Sequence, residues 1–476
     1  SGWREKADFT LERMAFSSLY DHFGGGFHRS AADRGWRQPQ FEKRLGDNAL
    51  LLRVYLEWYR ATRNPAAIPI MEGIGAYLLE ELFDPASGLF FDHQAGDAPG
   101  TEPGAYYTWT ADEWTAGLDP EERQAALLAF ELRARSAPAR TMGDADIAKR
   151  LGWSIDRVQA ILRQVREKVS AQRRRRSRPP VEPVAFAQSN GMAVSALLQW
   201  GLLVDHAAVR DTALRVLDRL WEQGWSDTEG MGRSLRQGRW TRPGLLTDHV
   251  WVLTALLDAY EATDDTQYLE RAQALARFIE TAFADPAGGG YVDRAQGPSG
   301  ASAPSEGLLA LPRKPYFDQA DAPAENPLLA LAFDRLALLA DAPDWRIVAE
   351  GILLALAGVH PDSVNDRMAS YAQAVLRHLR PPTRVFVSVP APGATHAALI
   401  AVARQSKRPG VMVRTLRPGQ ALPPLSAASR AAATALIASG KTQAIVCIAT
   451  TCSRPTADPG ELARTLDNPP PAPRTP

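Results

Sequence analysis

The sequence contains little cysteine, no excess of charge of either sign and no long uncharged apolar run. Its 476 residues include two cysteines, Cys447 and Cys452, too few for a disulfide scaffold or a cysteine-rich metal cluster. Their spacing in CIATTC is wider than in thioredoxin-like motifs, which favours a strand cysteine and a turn cysteine over a redox pair. No stretch of about 18 uncharged apolar residues predicts a membrane span.

The charges are balanced, with 54 Lys plus Arg against 54 Asp plus Glu. Because the chain carries no net charge, its electrostatic attraction to nucleic acid or to an anionic membrane is weak, so a small molecule or a protein is the favoured partner. The first residues, SGWREKAD, do not have the basic and apolar segments of a signal peptide, which favours a cytoplasmic protein, although a leader removed earlier stays open. We expect no cofactor and no metal.

Apolar residues recur at helical spacing in ten segments, most of them in consecutive pairs. Short links such as RNP and DDT join the members of a pair, which predicts antiparallel helix hairpins. The predicted helices cover residues 9–23, 49–62, 67–83, 190–205, 208–224, 245–263, 266–283, 326–340, 344–358 and 362–379.

Glycine followed by alternating aromatics marks four of the longer links: GGGFHR from Gly24, SGLFFD from Ser87, GAYYTW from Gly104 and GGGYVD from Gly288. Each link predicts a turn and a short strand at a helix end. Helix, short link, helix and aromatic loop together form an internal repeat, and about six stacked hairpins bury every apolar face only in a closed ring. The sequence therefore predicts a mainly α fold, an (α/α)6 toroid over residues 1–380 with functional groups on the long loops at one end.

Two segments interrupt the repeat. Residues 144–178 predict a short helix, a turn at Gly152 and Trp153, and a longer helix that runs into a basic cluster. A DNA-binding helix-turn-helix has this form, but arginines that solvate an exposed helix end explain it too, and the balanced charge favours the second interpretation. Residues 381–468 alternate strands with helices and predict a small parallel α/β unit of structural role, and residues 469–476 predict a disordered tail.

The connection GGGFHRSAADRGWRQPQFEKRLGDNALLL is dense in hydrogen-bonding side chains. His28, Asp33, Glu42 and Asp47 lie within twenty positions and supply a base, an acid and an orienting partner. That set can move a proton to and from a sugar hydroxyl, a ring oxygen or an α-carbon. Trp36 is placed to stack on an apolar ligand face. The pattern makes these four residues candidates for catalysis.

The same residues also fit structural roles. Asp47 and Asn48 precede a helical run and are typical of a helix cap, while Glu42 can form a plain surface pair with Lys43 or Arg44. For any single residue the two interpretations are about equally good. The joint density of polar groups favours a site.

Further side chains are candidates for contacting a ligand. Asp248 and His249 are adjacent on a helix and point about 100° apart, so Asp248 is expected to bond backbone near the helix start. Tryptophans in a toroid lie in the core more often than they bind sugars. The substrate-binding candidates are Trp36, Asn48, Tyr107, Trp109, Asn190, Asp248, His249 and Asn326.

The segment LYDHFGGGFHRSAADRGWRQPQFEKRLGDNALLL resembles the hallmark of the spermatogenesis-associated protein 20 family, also called YyaL-like. GAYYTWTADEW, GLLTDHVWVLTALLDAYEATDDTQYLERA and TTCSRPTADPGEL are similar to further family segments, so the resemblance runs through nearly the whole chain. It implies a thioredoxin-like domain followed by an (α/α)6 barrel like that of N-acylglucosamine 2-epimerases and six-hairpin glycosidases. Residue 1 falls just before the helix that leads into the hallmark loop. We therefore expect either that another chain supplies the thioredoxin-like domain and the start of the barrel, with a thioredoxin-like subunit as partner, or that this is a shortened member.

Two segments depart from the family pattern. Gln40 stands where the family has a histidine, which removes a group that titrates near neutral pH. PVEPVAFAQSNGM replaces DDKVLTSWNGL and keeps Asn190 and Gly191. These departures predict that the ancestral activity is lost or changed while the packing frame persists.

Three functions remain open from the sequence. The first, narrowly favoured, is a carbohydrate-active enzyme of the sugar epimerase, isomerase or six-hairpin glycosidase type that transfers protons without metal or nucleotide. The second is a catalytically degenerate barrel that binds a ligand or a protein, such as a thioredoxin-like subunit. The third is a DNA-associated regulator acting through the inserted helices.

Overall fold

The computed structural model describes residues 2–131, 135–295, 313–319, 322–357, 366–390, 393–419, 422, 425 and 427–469. The chain divides into two compact units, Ser1–Ala185 and Phe186–Pro476. The boundary predicted at residue 380 lies inside the second unit. Apart from its first residue, the predicted tail at 469–476 lies outside the described residues.

Most of the regular structure is helical, which confirms the predicted mainly α class. A π-helical turn, Leu78–Leu82, extends the helix Ala67–Tyr77, and a 3-10 turn, Asp366–Met368, precedes the helix Ala369–Leu379. No helix within the described ranges combines the length and apolar character that a membrane crossing needs. The helices are α1 Gly2–Phe16, α2 Leu45–Thr62, α3 Ala67–Tyr77, α4 Ala111–Thr115, α5 Pro120–Ala129, α6 Asp144–Leu151, α7 Ile155–Arg173, α8 Ala187–Leu203, α9 Ala207–Gly224, α10 Leu246–Thr263, α11 Thr266–Phe283, α12 Glu325–Leu339, α13 Asp344–Ala357, α14 Ala369–Leu379, α15 Ala394–Arg404, α16 Ala427–Ala438 and α17 Pro459–Asp467.

The strands are short except in the C-terminal sheet. Antiparallel pairs join β1 with β2, β3 with β6, β4 with β5, β7 with β8, and β10 with β11. The strands are β1 Ser30–Ala31, β2 Pro39–Gln40, β3 Lys43–Arg44, β4 Phe83–Asp84, β5 Leu89–Phe90, β6 His93–Gln94, β7 Phe130–Glu131, β8 Ala139–Arg140, β9 Val184–Phe186, β10 Ser234–Arg236, β11 Arg239–Thr241, β12 Thr383–Ser388, β13 Val411–Leu416, β14 Gln443–Ile448 and β15 Thr451–Cys452.

Helix pairs with short links are the building blocks, as the sequence predicts. In the first unit α2 packs on α3, and in the second unit α8 packs on α9, α10 on α11, and α12 on α13. Helix α10 also packs against both α8 and α12, and these three helices are buried on most sides. Their partners α9 and α11 bury one apolar stripe each, as expected of helices on the outside of a layer.

The same loop recurs at four helix ends, and three of the copies contain the predicted glycine signature at Gly24, Ser87 and Gly288. In each copy the side chain of the first residue accepts hydrogen bonds from backbone N–H groups two and three positions further along, and the carbonyl of that residue accepts from a glycine four positions on. The glycine has positive φ, which other residues rarely adopt. The loops start at Asp21, Asp84, Ser226 and Asp285. The link at Gly104 forms a different turn, in which its carbonyl accepts from Tyr107 and Thr108.

An asparagine in the first turn of a helix holds the loop ahead of it in two of the repeats. Asn48 accepts a hydrogen bond from the N–H of Phe27 at 2.7 Å and donates one to the carbonyl of Phe27 at 3.1 Å. Asn326 makes the same pair of bonds with Tyr291, at 2.8 and 2.9 Å. Both asparagines are fully buried, so each amide satisfies backbone groups that water cannot reach.

A histidine takes the same position in the loop that begins at Ser226. The Nε2 atom of His249, in the first turn of α10, accepts a hydrogen bond from the N–H of Met231 at 3.0 Å, and its Nδ1 donates to the carbonyl of Leu245 at 2.7 Å. The prediction of a helix over residues 9–23 is wrong beyond Phe16. Helix α1 ends at that residue, because the chain then enters the first repeated loop.

The C-terminal α/β unit is confirmed, but its sheet is mixed and the prediction of a parallel sheet is wrong. The strand order is β13-β12-β14-β15, with β13 parallel and β14 antiparallel to β12. A helix can join strands of either relative direction when they lie on different sides of a third strand. Alternating strands and helices therefore do not fix the direction of β14.

Cys447 and Cys452 form a disulfide, which the expectation of a strand cysteine and a turn cysteine did not include. Strands β14 and β15 make a tight hairpin in which the two residues lie opposite each other, with 4.0 Å between their Cα atoms. The turn includes Ala449 at positive φ. That conformation, which brings the cysteines together, has no obvious signature in the sequence.

Replacement of Asn326 by Ala should lower the free energy of unfolding by about 3 kcal/mol, because the buried N–H and carbonyl of Tyr291 lose their partners. Urea unfolding followed by circular dichroism measures the change. Glu270→Ala on the exposed face of α11 is the control and should stay within about 0.5 kcal/mol of wild type. Equal stability of the two variants would contradict a clamping role.

Candidate functional site

His28, the predicted base, lies in the core of the first unit. Its side chain is buried, its Nδ1 donates to the carbonyl of Phe41 at 3.0 Å, and its ring meets those of Phe41 and Tyr107 edge to face. Burial and the nearby Lys43 charge lower the pKa of His28 to about 3, against an opposing effect of Asp21. His28 is therefore neutral at physiological pH.

Asp33 closes its own turn. Its carboxylate accepts hydrogen bonds from the backbone N–H groups of Gly35, Arg37 and Gln38 at 2.7 to 2.9 Å. The slight loss of hydration acts to raise the pKa of Asp33, but these hydrogen bonds outweigh it and hold the pKa below its usual value. Trp36 lies half-buried in this turn at a positive φ of 54°.

Glu42 forms ion pairs with Arg29 and Arg44, both at 3.1 Å. Partial burial acts to raise its pKa, and the hydrogen bonds and charges of the two arginines lower it below the usual value. Asp47 is half-buried in the first turn of α2. The predicted catalytic residues His28, Asp33 and Glu42 thus have separate sets of partners, and the carboxylate that acts on His28 is Asp21.

A buried ion cluster that the sequence analysis missed lies beside His28. The carboxylate of Asp21 accepts hydrogen bonds from Lys43 Nζ at 2.6 Å and from Arg173 Nη1 at 2.8 Å to each oxygen. Lys43 also donates to the carbonyl of Gly25 at 2.8 Å. The exposed fractions of the three charged side chains are 5%, 1% and 8%. Asp21 belongs to the first repeated loop, Lys43 to β3 and Arg173 to the end of the inserted helix α7.

The charged side chains of this cluster shift one another's pKa values. Burial acts to raise the pKa of Asp21, but Arg173 and Lys43 outweigh it and hold that pKa well below its usual value. Burial lowers the pKa of Lys43 to about 8, with Asp21 acting against the shift and Arg173 adding to it. At neutral pH the cluster therefore carries two positive charges and one negative charge.

A small cavity adjoins Lys43 and Arg173. Its volume is about 10 Å³, room for about one water-sized group and too little for a sugar ring. Tyr107, a predicted ligand contact, lines it, and the hydroxyl of Tyr107 donates to Gln94 at 3.2 Å. Its lining residues are Gly24, Lys43, Tyr77, Glu81, Gln94, Tyr106, Tyr107 and Arg173.

Trp109 and Asn48 have packing roles. Trp109 belongs to an apolar cluster with Phe23 and Trp114, and the guanidinium of Arg176 lies 3.7 Å from the centre of its ring. Asn48 is occupied by the backbone of the first repeated loop, as described above. The structural alternatives weighed for the aromatic residue and for the asparagine therefore agree with the observed contacts.

The remaining candidates lie in the second unit. Asn190 donates to the carbonyl of Phe186 at 2.9 Å, and Asn326 and His249 hold repeated loops. The Oδ1 atom of Asp248 accepts from the N–H of Gln188 at 3.1 Å, and its Oδ2 accepts from the N–H of Leu245 at 2.8 Å. Asp248 thus bonds backbone at the start of α10, as expected.

Burial also shifts the two titratable candidates of α10. It raises the pKa of Asp248 to about 7 despite the hydrogen bonds from Leu245 and Gln188 and the charge of Arg233. It lowers the pKa of His249 to about 4. Within the described part of the chain, no three His, Cys, Asp or Glu side chains are arranged to hold a metal ion.

Acid should destabilise the second unit through His249. The unfolded histidine titrates near 6.5 and the folded one near 4, so the stability that neutral His249 contributes is present above pH 6.5 and is lost as pH falls through about 4. The lost stability is about 3 kcal/mol. Urea unfolding from pH 7 to pH 4 should show a shallower pH dependence for His249→Gln than for wild type. His206→Gln, at an exposed histidine, should follow wild type, and equal slopes for both variants would refute this account.

Comparison with known proteins gives related sequences and similar folds. The chain is 29% identical to mouse Spermatogenesis-associated protein 20 over 331 residues, which are 60% of this chain and 41% of the relative. It is 27% identical to the human protein of the same name over 330 residues, 60% of this chain and 42% of the relative. The chain thus spans about two fifths of the length of these curated relatives.

No family model matches the chain. Among solved structures, it is similar to a sugar epimerase from a ruminal bacterium, with 9% identity and a TM-score of 0.46 over 76% of this chain and 73% of the other. The curated relatives confirm the resemblance to the spermatogenesis-associated protein 20 family that the hallmark segments indicate.

Proposed function

We propose that this chain is a ligand-binding module for a small sugar-like molecule and that its opening loop does not carry out proton transfer. The observation that argues against proton transfer by this loop is the environment of His28. Its Nδ1 is engaged by the carbonyl of Phe41, its ring is enclosed by aromatic side chains, and its pKa lies at about 3. A general base works best when its pKa lies near the operating pH.

The acidic residues of the loop support the same proposal. Three backbone N–H groups occupy the carboxylate of Asp33, and two arginines neutralise Glu42. A carboxylate whose charge stabilises its own loop is a poor proton donor, because these contacts lower its pKa. The side chains that catalysis would need are therefore the ones that stabilise the conformation of the loop.

A second candidate function, proton transfer on a sugar-like substrate, is favoured by Asp248. Burial raises its pKa to about 7, a value suited to acid–base chemistry at neutral pH. Both oxygens of Asp248 accept backbone hydrogen bonds, however, and the side chain is fully buried. These contacts make the binding module the better supported function.

A thermal-shift screen of free and phosphorylated sugars tests the first function. A ligand that raises the melting temperature of wild type should raise that of Asp33→Asn and Glu42→Gln by the same amount, since these carboxylates hold the loop. The melting temperatures of the variants without ligand are the controls for folding. If the ligand no longer raises the melting temperature of one variant, the replaced residue belongs to the binding site, and that result would contradict the proposal.

Solvent isotope exchange separates the two functions. Under the proposal, sugars incubated with the protein in D₂O gain no deuterium at carbon, as followed by NMR. An enzyme that uses Asp248 would exchange carbon-bound hydrogen, with a transition near pH 7, and Asp248→Asn would abolish the exchange. Such exchange in the wild-type protein would establish the second function in place of the first.

A further inference from the structure

We propose that the cavity beside Lys43 and Arg173 is a binding site for one oxyanion group, a carboxylate or phosphate, of a small-molecule ligand. This inference rests on the proposed binding function and names the group that the first unit recognises. The protein would bind the group through one of its oxygens. The supporting observations are the charge of the cluster, its hydrogen-bond donors and the size of the cavity.

The first observation is a surplus of buried positive charge. Asp21 compensates one of the two cations, Lys43 and Arg173, and all three side chains are more than nine tenths buried. Glu81 also lines the cavity, but its carboxylate forms an ion pair with Arg178. Isolated buried charge is costly, and a bound anion would offset that cost.

The other titratable groups near the cavity do not remove the surplus. His28 is neutral at physiological pH, for the reasons given above. Burial raises the pKa of Tyr77 and of Tyr107, so both phenols stay protonated. The charge of Arg166 also acts on Lys43 and is positive. The field at the cavity therefore favours an anion.

The second observation is that both cations keep donors that Asp21 does not use. Arg173 contacts Asp21 through Nη1 alone, and among the described residues its Nε and Nη2 groups have no hydrogen-bond acceptor. Lys43 Nζ donates to Asp21 and Gly25 and lies 4.6 and 5.2 Å from the ring centres of Tyr77 and Tyr107, so in the part of the chain described its third N–H group has no oxygen or nitrogen acceptor. An arginine and a lysine that face one space are the usual recognition groups for carboxylate and phosphate oxygens.

The third observation is size. A cavity of about 10 Å³ accepts a single water-sized atom, so one oxygen of an anionic group fits while a sugar ring does not. Gly24 contributes to this space. A Cβ atom at position 24 would lie 1.8 Å from Nη2 of Arg173, so any side chain there would displace the guanidinium. The absence of a side chain at Gly24 keeps Arg173 at the cavity.

Inorganic phosphate is the probe, and binding to the whole chain is measured by calorimetry at constant ionic strength with chloride as the reference salt. We expect phosphate to bind wild type, and Lys43→Met to reduce its affinity at least tenfold. The Asp21 and Arg173 charges that remain in this variant balance, so it should fold. Lys43→Arg keeps the charge and should retain binding. Lys149→Met, at an exposed lysine of α6, is the matched control and should bind as wild type does.

Equal affinity of wild type and Lys43→Met for phosphate would overturn the site, as would an absence of phosphate binding to wild type. If Lys43→Met does not fold, Arg173→Met is the variant that tests the site. By the same argument, its affinity for phosphate should be at least tenfold lower than that of wild type. Failure of this site is distinct from failure of the proposed function. The function fails if no sugar-like ligand, charged or uncharged, shifts the melting temperature of wild type.

Discussion

The structure depends on how the helix hairpins hold the loops between them. Each repeated loop turns at a glycine of positive φ and leaves backbone N–H and carbonyl groups that must find partners away from water. In three of the four loops a side chain in the first turn of the following helix supplies them: Asn48 and Asn326 with both a donor and an acceptor, and His249 with an acceptor. An amide offers both functions in one group, which suits it to this position.

This arrangement explains why the candidate residues were only partly recognisable from the sequence. A polar residue on a glycine-rich loop or at a helix start is typical of a binding site, and equally of a loop that needs its backbone satisfied. For Asn326 and His249 the contacts are of the second kind. For Asp33 the partners are its own near neighbours, so the interaction is local, although the sequence alone does not distinguish it from a site.

The features predicted well from the sequence depend on residues that are close along the chain. The features that were missed depend on which distant strands or side chains lie next to each other. Helical periodicity and short links predicted α8 to α11 within a few residues, because each helix carries its own apolar pattern. The direction of β14 and the bond between Cys447 and Cys452 depend on which strands lie side by side. The Asp21 and Arg173 side chains meet across 152 positions, a separation that no spacing rule covers.

The inserted helices show how one charged segment can be interpreted in two ways. Arginines at the end of α7 suggest either a DNA-binding surface or a solvated helix end, yet Arg173 points into the core and pairs with Asp21. Arg176 donates to the carbonyls of Ala105 and Thr108 and lies over Trp109. Burial keeps Arg173 out of reach of the phosphates of a duplex, and its backbone contacts leave the guanidinium of Arg176 less available to them. The insert instead completes the buried cluster of the first unit, which joins the first repeated loop to a helix that interrupts the repeat.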